Sequence, residues 1–144
     1  MRNTYSGKVT KLLPNQLFVF GANTEFRHGK GSALQALKFG AKYGVGGLVG
    51  QTWSIVTKNL RKRKHPSISK EEIISQIKGL YEFANINNDK EFLIAYSGTG
   101  SNLNGYSNIE MAEMFSSFDI PDNIIFEDEF NNLISNYKQN SLSS

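Results

Sequence analysis

Cysteine is absent from the 144 residues, which removes disulfides and thiolate metal ligands and is compatible with a reducing compartment. Histidine occurs only at positions 28 and 65, a pair without metal-ligand spacing, so neither a metal nor any other cofactor is expected. No apolar stretch approaches the roughly 20 residues of a membrane span. The opening MRNTYSGKVT lacks the apolar core of a signal peptide. The expectation is a cytoplasmic protein with no membrane partner. A strong excess of one charge is also missing: 16 Lys and Arg stand against 13 Asp and Glu, for a net +3. That balance admits attraction to phosphate without requiring it.

What is present suffices for one core. With 39% hydrophobic residues the chain supports a single domain over residues 1–138, leaving a small, polar, frayed tail at 139–144. LFVFG (Leu17 to Gly21) is a nearly continuous apolar run ending in glycine, the pattern of a strand covered on both faces. Leu34, Leu37 and Ala41 follow at helical spacing, and KYGVGG supplies a stop. QTWSIVTK (Gln51 to Lys58) alternates as a strand does. Ser69 and Glu72 stand three apart like a capping box, ahead of a stripe of Ile73, Ile77, Leu80 and Ala84. EFLIAY (Glu91 to Tyr96) reads as a second buried strand, Ser107 and Glu110 as another cap, and NIIF as a last strand before the helical EDEFNNLISNYK. Strands alternating with helices predict an α/β domain whose sheet is mixed and mainly parallel.

Ligands of such sheets collect beyond the carboxyl ends of the strands, and both glycine-rich loops lie there. RHGKGS (loop one) offers Arg27, His28 and Lys30 beside Gly29, Gly31 and Ser32; SGTGSNLNGY (loop two) offers hydroxyls, amides and glycines without charge. Glycines let backbone N–H groups approach an anion closely, so phosphate is the natural guest. GxxxxGK[ST] is absent, as is GxGxxG after the first strand, which argues against a nucleoside triphosphatase or a dinucleotide dehydrogenase.

FVFGAN followed by HGKGSALQAL resembles the macro domain pattern, in which an apolar strand ends in asparagine and a glycine loop leads into a helix. GQTWSIVTK, EEIISQIKGLYEFA and FLIAYSGTGSNLNGY continue the resemblance in order, and GKVT (Gly7 to Thr10) sits where the family has Gly-Asp-Ile-Thr. The chain is also similar to a smaller set of macro-like proteins of the FVFGSN…HGAG type from phages and bacteria. The resemblance implies a three-layer α/β/α fold that binds ADP-ribose or a related nucleotide, free or on an ADP-ribosylated macromolecule. For a phage-borne chain the compartment would be the host cytoplasm. It further implies that Gly21, Ala22 and Asn23 bring the strand to the distal ribose, and that Gly29, Lys30, Gly31 and Ser32 line loop one. Ser97, Gly98, Thr99, Gly100 and Gly105 would cradle the diphosphate, with Tyr106 at the ribose. Three departures accompany the match: Lys8 replaces the acid that grips adenine, Lys30 replaces a loop glycine, and loop two is longer.

Hydrolysis at an anomeric carbon develops positive charge, which most glycosidases meet with two carboxyl groups. Loop one holds Glu25 alone, and an asparagine amide has no useful proton affinity. A hydrolytic reading, as an ADP-ribosyl hydrolase or ADP-ribose-1″-phosphatase, therefore lets Asn23 orient water while Glu25, His28 or the substrate phosphate moves the proton. The other reading is a non-catalytic module or sponge for an ADP-ribose-type signal. A third and weaker one is nucleic-acid binding through Arg61 to Lys64, a basic run without interleaved aromatics for which a solvated loop is the stronger reading.

Overall fold

The computed structural model describes residues 2–29, 31–95 and 104–143. Their order is β1 (Thr4–Tyr5), β2 (Gln16–Asn23), α1 (Gly31–Ala36) with a 3-10 turn at Leu37–Phe39, β3 (Leu48–Val49), β4 (Thr52–Lys58), α2 (Lys70–Ile86), β5 (Glu91–Ile94), α3 (Asn108–Phe115), β6 (Ile124–Glu127) and α4 (Asp128–Ser143). They form a six-stranded sheet in the order β1-β6-β5-β2-β4-β3. All neighbours pair parallel except β3, which runs antiparallel to β4. The domain is thus α/β with a mixed, mainly parallel sheet.

Strand β2 shows why the sequence folds this way. It lies between β5 and β4, and its alternate side chains feed two cores: Leu17 and Val19 join the one beneath α2, α3 and α4, while Phe18, Phe20 and Ala22 join the one beneath α1. Covered on both faces, it has no room for polar side chains, hence the continuous apolar run. The two cores make three layers, with a short helix on one side and three helices on the other.

The predicted caps are present. Ser69 accepts from Glu72 N at 3.2 Å, and Ser107 forms a reciprocal capping box with Glu110. Ile73, Ile77, Leu80 and Ala84 are fully buried along α2. Three features differ from the sequence reading. Helix α1 stops after six residues, so Leu34 and Leu37 are exposed and Ala33, Ala36 and Ala41 carry the packing. Strands β1 and β3, of two residues each, are too short to show a period. Helix α4 continues to Ser143, past residue 138 where the domain was expected to end.

Asn123 ties the layers together. Its Nδ2 donates to the carbonyls of Ala84, Asn87 and Lys90 at 2.9, 3.2 and 3.0 Å, joining the end of α2 and the turn into β5 to the residue that precedes β6. Asn123→Ala leaves those acceptors without this donor and is expected to lower stability by about 1–3 kcal/mol, measured as a reduced urea midpoint with an unchanged slope.

Candidate functional site

The carboxyl ends of the parallel strands open into one cleft of about 1080 Å³. Across the sheet edge it receives Gly7 and Lys8 after β1, Glu127 from β6, Ala95 after β5, Asn23 from β2 and Lys58 from β4. From β6 to β4 is three strand steps, or about 14 Å. The walls are largely apolar, with Tyr5, Val9, Phe18, Met111, Phe115 and Phe130 contributing. An apolar cleft of this size with a few converging polar groups fits a small organic ligand rather than a bare ion.

Loop one is closed by Asn23 itself. Its Oδ1 accepts from the backbone N–H groups of Glu25 at 3.2 Å and Arg27 at 3.0 Å, and its Nδ2 donates to the Arg27 carbonyl at 2.9 Å. Both oxygen lone pairs and one N–H are therefore committed, leaving one N–H without a partner among the described residues. The loop is held further by Phe26, whose φ of 52° is left-handed. Its carbonyl accepts from Gly44 N at 2.8 Å. Its ring lies where a Cβ on Gly46 would stand, 2.3 Å away. A side chain at position 46 would displace that ring, and the glycine lets it anchor a conformation that costs about 1–3 kcal/mol.

A register shift between Ala22 and Asn23 places Asn23 opposite Lys58 where Ala22 faced Val56. Such a bulge turns the strand at its end. Thr57 and Lys58, adjacent in sequence, consequently both line the cleft. The Thr57 hydroxyl would stand 3.3 Å from a Cβ at position 21, a tight contact that the glycine avoids.

Of the residues singled out from sequence, Gly21, Ala22, Asn23, Gly29, Gly31, Ser32 and Tyr106 are brought together on the cleft. Glu25 and His28 are not among its lining residues. Glu25 is in an exposed ion pair with Arg27 at 3.7 Å, within the tight turn that the Asn23 amide closes. His28 is 2% exposed, packed between the rings of Phe20 and Tyr43 at centroid distances of 5.7 and 6.0 Å. Neither of its ring nitrogens has a hydrogen-bond partner among the described residues. Burial holds its pKa below the ordinary 6.5, offset in part by the Phe26 backbone. The imidazole is thus held in its neutral form near pH 7 and lies outside the lining of the cleft.

Gly105 lies between Asn104 and Tyr106, which line the cleft, but is not itself among the lining residues. With φ of 89°, it lies so close to the His65–Pro66 backbone that a Cβ would come within 2.5 Å of Pro66 N. Its smallness serves that approach. Tyr106 presents its ring to the cleft but donates its hydroxyl to the Ile68 carbonyl at 2.6 Å. Lys30, Ser97, Gly98, Thr99 and Gly100 lie outside the described residues.

No known protein family, curated protein or solved structure matches the chain. The chemistry of the cleft must therefore be argued from its own residues. Several were missed in the sequence, above all Lys58 and Glu127. Glu127 is 8% exposed, and its Oε2 accepts from the backbone N–H groups of Glu129 and Phe130 at 3.0 and 3.2 Å, capping α4. Its Oε1 has no partner among the described residues. The two were detectable in principle, each being the last residue of a strand at the edge where ligands collect.

No group of His, Asp and Glu among the described residues could hold a metal ion. No helix among them is long and apolar enough to cross a membrane.

His28 sets a pH dependence of stability. The unfolded imidazole gains a proton near pH 6.5 while the folded one resists until a lower pH, so stability falls as pH drops below 6.5 and levels off beneath the folded value. Asp128, whose pKa is lowered by hydrogen bonds from Ser6 and Thr4, and Glu110, lowered first by the Ser107 backbone, lose their contributions only at more acidic pH. Urea midpoints at pH 7.5 and 5.5 should therefore differ in the wild type, and the difference should shrink in His28→Leu.

Proposed function

We propose that the cleft binds ADP-ribose or a closely related ADP-ribosyl nucleotide and that the chain serves as a binding module for it. The observation carrying this reading is the joining of the strand ends into one elongated cleft whose wall is loop one, with Gly21, Gly29, Gly31 and Ser32 at its surface. Those residues carry the resemblance noted in the sequence. The cleft also differs along its length. Arg27 and Lys58 stand at the β2 and β4 end, Glu127 and Glu129 at the β6 end. In this reading the first pair meets phosphate, and glycine-exposed N–H groups of loop one add to it. Carboxylates can only accept hydrogen bonds, so the opposite end suits a base bearing an amino group. Glu127, on the strand paired with β1, then supplies the acid that Lys8 cannot.

Binding is favoured over hydrolysis by the placement of the candidate proton carriers. Glu25 is held in an ion pair with Arg27, His28 is buried, and the Asn23 oxygen already accepts two N–H groups. Glu127 has one oxygen held by α4, which steadies its carboxylate as an acceptor for a ligand.

Calorimetric titration with ADP-ribose tests this. Saturable binding is expected, with no product released from ADP-ribosylated protein or ADP-ribose-1″-phosphate. Lys58→Ser should raise Kd about tenfold or more, since a charged hydrogen bond contributes about 1.5–3 kcal/mol. Turnover abolished by Glu25→Ala or His28→Leu would instead establish the hydrolase. Glu127→Gln replaces an obligate acceptor with a group that also donates, so it should reduce the preference for ADP-ribose over its hypoxanthine analogue, whose ring carries a keto group.

A further inference from the structure

We propose that residues 59–69, between β4 and α2, form a polyanion-binding wall of the cleft, so that the ligand is a single-stranded nucleic acid whose ADP-ribosyl terminus enters the cleft. The proposal rests on the nucleotide reading above and names the molecule to which that nucleotide belongs.

Both feet of this segment stand on the cleft. At its start, Lys58 and Leu60 line the cavity, and Leu60 N donates to Thr24 Oγ1 of loop one at 3.3 Å. At its end, Gly105 packs on His65 and Pro66, and the hydroxyl of Tyr106, a cleft residue, is tied to the Ile68 carbonyl. The interior is held in shape. Asn59 N donates to Ser67 Oγ at 2.8 Å, which also meets His65 Nδ1 at 2.7 Å, and Arg61 N donates to Asn59 Oδ1 at 3.0 Å.

What this scaffold displays is charge. Arg61, Lys62, Arg63 and Lys64 are all exposed, and none is in either ion pair found among the described residues, Arg27 with Glu25 and Lys70 with Glu110. Four consecutive cations beyond Lys58 exceed what the phosphates of one small nucleotide can engage from within the cleft. A strand leaving the cleft over this wall would set its own phosphates against them. The run from Asn59 to Ser69 contains no Phe, Trp or Tyr, so it offers no stacking platform, and contact is with the backbone of the strand, independent of base sequence.

The test compares three probes by fluorescence anisotropy or competition: free ADP-ribose, a labelled oligouridylate, and the same strand carrying a terminal ADP-ribose. The protein is the full chain or its variant with Arg61, Lys62, Arg63 and Lys64 each changed to Ser, all at exposed positions. At low salt the linked probe is expected to bind the wild type on the order of tenfold or more tighter than free ADP-ribose. The variant should lose that gain, flatten the slope of log affinity against log salt by about 3 for four lost phosphate contacts, and keep its affinity for free ADP-ribose. Equal affinity for linked and free ADP-ribose, or an unaltered salt slope in the variant, overturns the wall while leaving the cleft reading intact. Failure of free ADP-ribose to bind overturns the cleft reading and the proposal with it. Equal or tighter capture of phosphatidylserine vesicles or polyglutamate by the same four residues overturns the nucleic-acid assignment.

Discussion

Parallel pairing is the constraint from which the site follows. Because β1, β6, β5, β2 and β4 all run in one direction, their carboxyl ends emerge at one edge of the sheet, where the chain must turn away toward a helix or crossover. Side chains from distant parts of the chain, Lys8, Asn23, Lys58 and Glu127, meet there for that reason alone. The central strand β2 is covered on both faces, so hydrophobic burial sets where its end must lie. The cleft is thus positioned by the core beneath it, and loop one needs only to be shaped.

Shaping that loop falls to Asn23. One amide ties the backbone of Glu25 and Arg27 into a compact turn, while Phe26 is pinned in a left-handed conformation against Gly46. Preorganisation of this kind lowers the ordering cost of binding. It also has a consequence for chemistry. A side chain engaged at three points with its own loop is a structural element first, and the acid beside it is paired with Arg27.

The sequence revealed features whose signals are local. A two-faced apolar run marked β2, a serine three residues before a glutamate marked the starts of α2 and α3, and the α2 stripe marked its buried face. It failed where the answer depends on segments that meet only in space. His28 looked like a loop cation, but Phe20 and Tyr43 enclose it. Gly105 looked like part of a phosphate cradle, but it is small because His65 and Pro66 press on it. Leu34 and Leu37 looked buried because their spacing fits a helix longer than the one that forms. Glu127 ends a strand, yet its place in the cleft became visible only once β6 was known to pair between β1 and β5.

A basic connection and a nucleotide-shaped cleft looked like rival readings in the sequence. In the fold they are neighbours, since the basic segment begins at a cleft residue and ends against Gly105 and Tyr106. The central claim, that the strand-end cleft takes an ADP-ribose-type nucleotide, is tested most directly by following backbone amide NMR signals during titration with ADP-ribose. The account predicts saturable shifts concentrated at Gly21, Gly29, Gly31, Lys58 and Glu127, with α2 unaffected. Shifts scattered over the surface, or none up to millimolar ligand, would contradict it.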